Sequence, residues 1–210
     1  MNVRALPLLA LLVPILSGCI GAAAVGVGAG ALIYADRRAT ETVLTDEGIE
    51  IRAANRIREK FGDRVHANVN SYNRTILLTG EVPDAAARDE IEKLVSGVAN
   101  VKAISNELAV GAISTLSNRS NDVYITSKVK ARLIDAGQVS PVHVKVITEN
   151  GVVYLMGQVT QRESGAAVDV ARTTGGVQKV VRVFEIVSDA EARRLDPPKA
   201  APQKTPAIVP

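Results

Sequence analysis

The sequence has no tryptophan, a single cysteine, two histidines and only 3% aromatic residues. Each scarcity removes a class of function. Cys19 has no second thiol with which to close an intramolecular disulfide. One cysteine with His66 and His143 is a thin supply of ligands for a transition metal, so neither a metal nor another cofactor is expected. Four Tyr and two Phe offer few rings for bases to stack on, and no dense Lys/Arg patch is interleaved with them; nucleic acid is not an expected partner. No serine, aspartate or glutamate sits in a nucleophile elbow or other catalytic spacing, so no catalytic residue is assigned and the chain does not read as an enzyme. The cores must be aliphatic.

What is present begins with an address. Arg4 gives the amino terminus its charge, and Leu6 to Leu16 is apolar apart from Pro7 and Pro14. That run is shorter than the roughly 20 residues of a membrane-spanning helix and has the layout of a secretory signal over 1–18. It ends in Leu16-Ser17-Gly18-Cys19, which matches the bacterial lipobox. The reading is a lipid attachment at Cys19, with acyl chains that make anchoring effectively permanent. By resemblance to bacterial lipoproteins, Ile20 in place of an aspartate favours the outer membrane, facing the periplasm.

Residues 19–45 read as the lipidated cysteine and a flexible Gly/Ala-rich linker. The Gly26-Val27-Gly28-Ala29-Gly30 stretch lacks the preceding strand and following acid of a dinucleotide site. At the far end, residues 189–210 read as a disordered tail, with prolines at 197, 198, 202, 206 and 210.

Between them lies an internal repeat. Leu77-Leu78-Thr79-Gly80-Glu81-Val82 recurs as Tyr154-Leu155-Met156-Gly157-Gln158-Val159, and a histidine stands fourteen residues before each glycine. The copies span 46–111 and 119–188. Ala53, Ile57 and Phe61 in one, and Ile125, Val129 and Leu133 in the other, predict a first helix with one apolar stripe. Asn121 or Asp122 is a ready N-cap for the second of these. A hairpin follows, turning at Asn150-Gly151 in copy two. A second helix starts at Asp84 or at the capping box Thr160-Gln161-Arg162-Glu163, and ends at Gly97 or Gly175-Gly176. Final strands are Val101 to Val110 and Val180 to Val187. The predicted class is α+β, twice α-β-β-α-β, each unit a three-stranded mixed sheet covered on one face by two helices. Units of about 65 residues are marginal alone, so the copies are expected to pack together.

This pattern resembles the BON domain, with Gly80 and Gly157 at its strand-two glycine and Val98 and Val177 at its valine after helix two. Two such domains behind a lipobox look like the dual BON-domain outer-membrane lipoproteins of Gram-negative bacteria. The resemblance implies an envelope-integrity protein that binds anionic phospholipid through its second domain. It also implies gathering at the division site and a link to the β-barrel assembly machinery.

The first helix of copy two carries the candidate site. With Val129 at the centre of the core stripe and 100° per residue, Ile125, Leu133 and Ala136 fall beside it. Val123, Tyr124, Ser127, Ala131 and Ile134 fall opposite, and Lys128 and Lys130 lie on the two flanks. Such a face suits a lipid interface, with lysines meeting phosphates. In the family an aromatic at the position of Tyr124 enters the lipid; a tyrosine inserts less deeply than the tryptophan that can stand there. Residues 121–188 carry eight basic and six acidic side chains, and residues 46–110 nine and eleven. Arg52, Arg56 and Lys60 make a basic stripe in copy one as well. Two other readings stay open: a protein-interaction scaffold, and a periplasmic chaperone-like stress protein. His66 and His143 alternate with small apolar residues and are expected on a solvated sheet face away from the helices.

Overall fold

The computed structural model describes residues 36–196. The signal segment, Cys19, most of the linker and the proline-rich stretch from 197 lie outside them. No helix among the described residues is long and apolar enough to cross a membrane.

In the first domain, α1 (Thr40–Phe61) precedes the hairpin of β1 (His66–Tyr72) and β2 (Thr75–Val82). Then come α2 (Ala85–Ser96), β3 (Ala103–Asn106) and β4 (Ala109–Val110). The second domain repeats this as α3 (Leu116–Ala136), β5 (Lys145–Glu149), β6 (Val152–Val159), α4 (Gln161–Arg172) and β7 (Lys179–Ile186), followed by a short α5 (Asp189–Leu195). In both sheets the central strand pairs antiparallel with its hairpin partner and parallel with the strand after the second helix. The predicted class and element order hold. The last strand of the first sheet is broken in two, β3 and β4 both pairing with β2. Asn106 causes the break: its side-chain oxygen accepts the Leu108 N–H while its amide reaches Glu92 on α2.

The helical stripes form the two cores. Ile49, Ala53, Ile57 and Phe61 of α1 close on Ile76, Leu78 and Val82 of β2 and on Ile91 and Val95 of α2. Ile125, Val129 and Leu133 of α3 close on Val153, Leu155 and Val159 of β6 and on Ala167 and Ala171 of α4. Ala136, at the last turn of α3, is exposed and does not join that stripe. The opposite face of each sheet is not solvated. Tyr72 and Leu77 of the first sheet pack on Tyr154 and Met156 of the second, with Ile147, Val152, Val181 and Val183 around them. The sheets thus stand back to back, and β2 is buried on both faces for almost its whole length. This third core is the physical answer to the small size of each unit.

Several boundaries differ from the sequence reading. Helix α1 starts at Thr40, inside the stretch read as linker, because Arg38 bridges Asp36 and Asp46 and holds the chain at the helix entry. Helix α3 starts at Leu116 and is capped by Thr115, whose side chain accepts the Asn118 N–H. Neither Asn121 nor Asp122 is its cap. The expected caps at Asp84 and Thr160 are formed, the latter as a full capping box. Gly97 follows α2 with an ordinary negative φ of −79°, and α4 ends at Arg172, before the glycine pair. The tail read from 189 begins with α5, which Ser188 caps and whose acidic first turn and basic last turn suit the helix dipole.

Buried Asp122 holds the hairpin: it accepts the N–H groups of Asn150 and Gly151, both at 2.8 Å. These two residues have φ of 49° and 73°, the left-handed pair of a tight hairpin turn. Asp46 does the same in the first domain, accepting Asn73 and Arg74 N–H at 2.8 and 2.7 Å.

Candidate membrane-binding face

α3 buries one stripe and presents the other. Leu116, Val123, Tyr124 and Ile134 are 74, 68, 62 and 61% exposed, a concentration of bare apolar surface on one helix. Ser127 and Ala131 lie between them, also exposed. Tyr124 does not fold back over the helix end; its ring stands outward with the Lys128 ammonium 4.5 Å from its centroid. The arrangement can shed apolar area into an interface without exposing any core residue, since Ile125, Val129 and Leu133 stay beneath it.

The flanking charges are not the symmetrical pair expected. Lys128 donates to the Gly175 carbonyl as well as capping Tyr124, and Arg132 donates to Thr173 and Thr174. That flank ties α3 to the end of α4. On the other flank, the side chains of Lys130 and Arg119 make no hydrogen bond or ion pair among the described residues. The Arg119 Nε is buried without a partner. The free cations are therefore Arg119 and Lys130. Arg119 was missed because α3 was expected to begin after it; a cap read at Thr115 would have placed Arg119 and Leu116 on the helix.

Arg119, Val123, Ser127 and Lys130 border a cleft of about 460 Å³ between α3 and the first domain, whose far wall includes His66 and Asn68. At its floor lies a polar cluster. His66, which does point away from the helices, hydrogen-bonds Glu81 through Nδ1 at 2.9 Å, its cross-strand neighbour. Glu149 Oε1 lies 3.8 Å from the same nitrogen. The sheet face that His66 occupies is covered, not solvated, because the second domain lies on it. His143 is not on a strand at all: Pro141 opens a 3-10 turn, and His143 is buried there with Nε2 3.8 Å from Asp196. Burial pushes the Glu149 carboxyl above its ordinary value, against the pull of Asn68 and His66. Burial works the same way on Glu81, but the bonds from His66, the Ser114 N–H and Asn150 outweigh it and hold that carboxyl low.

Comparison with known proteins fits this geometry. The chain matches the BON domain over residues 52–112 and again over 121–188. It is 37% identical to "Outer membrane lipoprotein DolP" of Haemophilus influenzae over 81% of this chain and 89% of that protein. It is 34% identical to the "21 kDa hemolysin" of Actinobacillus pleuropneumoniae over 72% of this chain and 79% of that one. "Osmotically-inducible protein Y" of Escherichia coli is 33% identical over 54% of this chain and 58% of its own length. With two matched domains and relatives aligned along most of its length, the chain belongs to the BON-domain family, as a dual BON-domain protein similar to DolP.

Proposed function

We propose that this chain is an outer-membrane lipoprotein, anchored through Cys19 and facing the periplasm, whose second BON domain binds anionic phospholipid through the outer face of α3. The observation that carries the proposal is the bare stripe of Leu116, Val123, Tyr124 and Ile134 beside the unengaged cations Arg119 and Lys130. Apolar side chains enter the acyl boundary while the cations meet phosphates, each basic group near an anionic surface contributing about 1 kcal/mol. The names of the relatives support an outer-membrane BON lipoprotein with an envelope role. Supporting envelope integrity, gathering at the division site and a connection with β-barrel assembly complete the proposal on the family likeness. It is a binding function, with no chemistry assigned to any residue.

Vesicle flotation of a fragment from Asp36 onward tests it without acyl chains. This fragment keeps Arg37 and Arg38, which are bonded into the fold. Phosphatidylglycerol vesicles should bind it at least ~10-fold more tightly than phosphatidylcholine vesicles. Tyr124→Ala combined with Lys130→Glu should remove about 2 kcal/mol, roughly 30-fold. Equal binding to both vesicle types, or binding that survives the double substitution, would favour a protein partner on this face.

A further inference from the structure

We propose that His66, Glu81 and Glu149 form a divalent transition-metal site, of the kind that suits Zn²⁺, at the join of the two BON domains. One nitrogen and two carboxylate oxygens lie within 4.8 Å of one another. The Nδ1 of His66 is 2.9 Å from Glu81 and 3.8 Å from Glu149. A tetrahedral Zn²⁺ with ligands at about 2.0–2.1 Å has ligand-to-ligand edges of about 3.3 Å, between those two separations. Small adjustments of χ angles would therefore seat the ion. Imidazole with two carboxylates suits Zn²⁺, whereas Ca²⁺ and Mg²⁺ need six or more oxygens.

The electrostatics ask for a cation. Glu81 and Glu149 are 3 and 7% exposed, and among the described residues no Lys or Arg pairs with either. Two buried carboxylates this close are costly unless a positive charge lies between them. Among the described residues His66 is the one basic group within ion-pair distance of either carboxylate, and a dication would neutralise both.

The surroundings are those of a built site. Asn68 donates to Glu149 at 2.8 Å, Asn150 donates to Glu81, and the Ser114 N–H donates to Glu81 at 3.1 Å. Such outer contacts orient ligating carboxylates. Ser114 is itself 8% exposed, and its hydroxyl is buried with no hydrogen-bond partner. That is an orphaned polar group beside the cluster, of the kind an ion's water ligand would satisfy. The cleft lined by His66 and Glu149 gives an entry path and room for a fourth, water ligand. Glu149 comes from the second domain and the other two ligands from the first, so the ion would tie the domains together. This site is independent of the membrane-binding reading of α3.

The experiment is a titration of the tag-free full-length chain, purified in detergent and stripped with chelator, first with ZnCl₂ and then with CoCl₂. One Zn²⁺ per chain should bind near pH 7 and weaken on acidification, since protons compete for the same ligands. Co²⁺ should give the intense visible bands of a four-coordinate ion. Glu149→Gln and His66→Gln should each weaken Zn²⁺ binding by at least ~10-fold. Glu149→Gln keeps the side-chain shape and removes a buried charge, so its folding is not at stake. If His66→Gln fails to fold, the Co²⁺ spectrum of the unsubstituted chain and the Glu149→Gln titration decide. No saturable binding, an octahedral Co²⁺ spectrum, or affinity unchanged by Glu149→Gln would overturn the site.

Discussion

Gly80 and Gly157 show how a single residue type is fixed by its neighbour. A Cβ at Gly80 would lie 1.9 Å from the His66 carbonyl oxygen, and one at Gly157 2.1 Å from that of His143. The carbonyl of each repeat's histidine thus occupies the space where a side chain on the glycine would go. Gly80 also has a φ of 114°, which L side chains avoid. Alanine at Gly80 must push β1 away from β2, and alanine at Gly157 must push the Pro141–His143 turn away from β6. Gly80→Ala and Gly157→Ala should each cost at least ~2 kcal/mol in urea unfolding, where a surface Gly111→Ala, with open space around it, stays within about 0.5 kcal/mol. The repeat pointed to these glycines from sequence because their spacing to the histidines is identical. The histidines' own surroundings were not legible, since what covers a sheet face is decided by residues distant in sequence.

At the scale of elements, the two hairpins depend on an aspartate in the preceding helix. Asp46 and Asp122 each accept two turn N–H groups at positions with positive φ. Asp122→Ala should cost about 1–3 kcal/mol, because the buried Gly151 N–H and the part-buried Asn150 N–H lose their acceptor. Hydrogen exchange should speed up at Asn150 and Gly151 before it does in the β6–β7 ladder. Asn150-Gly151 was readable as a turn, whereas the equivalent Asn73-Arg74 was not, because arginine gives no left-handed signal. Asp122 invited reading as a cap for the same reason that it serves the hairpin, a short carboxylate suited to backbone N–H groups. The helical stripes were legible because i, i+4 periodicity is local. The missed first turn of α3 hid Leu116 and Arg119, and so shifted the charge of the candidate face from Lys128 to its other flank.

For the molecule as a whole, the back-to-back sheets and a few polar contacts join the domains. Lys145 reaches Glu50 at 2.6 Å, and Asn73 reaches Glu185 at 2.7 Å. Arg37 makes a two-pronged bond to Glu163, at 2.8 and 2.9 Å, and a third to Asp196 at 2.7 Å. Burial works to raise the Glu163 carboxyl, but Arg37 and the capping-box bonds overcome it and hold it at about 2 against an ordinary 4.5. A depressed acid contributes stability that is fully present above its unfolded value and lost as pH falls toward its folded one. The contribution is about 3 kcal/mol at neutral pH. Glu163→Gln should therefore destabilise the chain by about that much near pH 7, with the gap to the unsubstituted chain shrinking to about half near pH 3. Urea unfolding at the two pH values measures it; a gap that is independent of pH would mean that the charge of Glu163 is not what holds Arg37.

The Arg37 clasp also decides how the molecule bears a load. Residue 37 immediately precedes α1 of the first domain, yet its guanidinium is fastened to the second, and Asp196 at the end of the fold is fastened to it in turn. Tension applied at the amino-terminal side, as a membrane tether would apply it, is therefore met by both domains together. Entry and exit of the fold share one corner, so a pull from either tail is borne by the same joint.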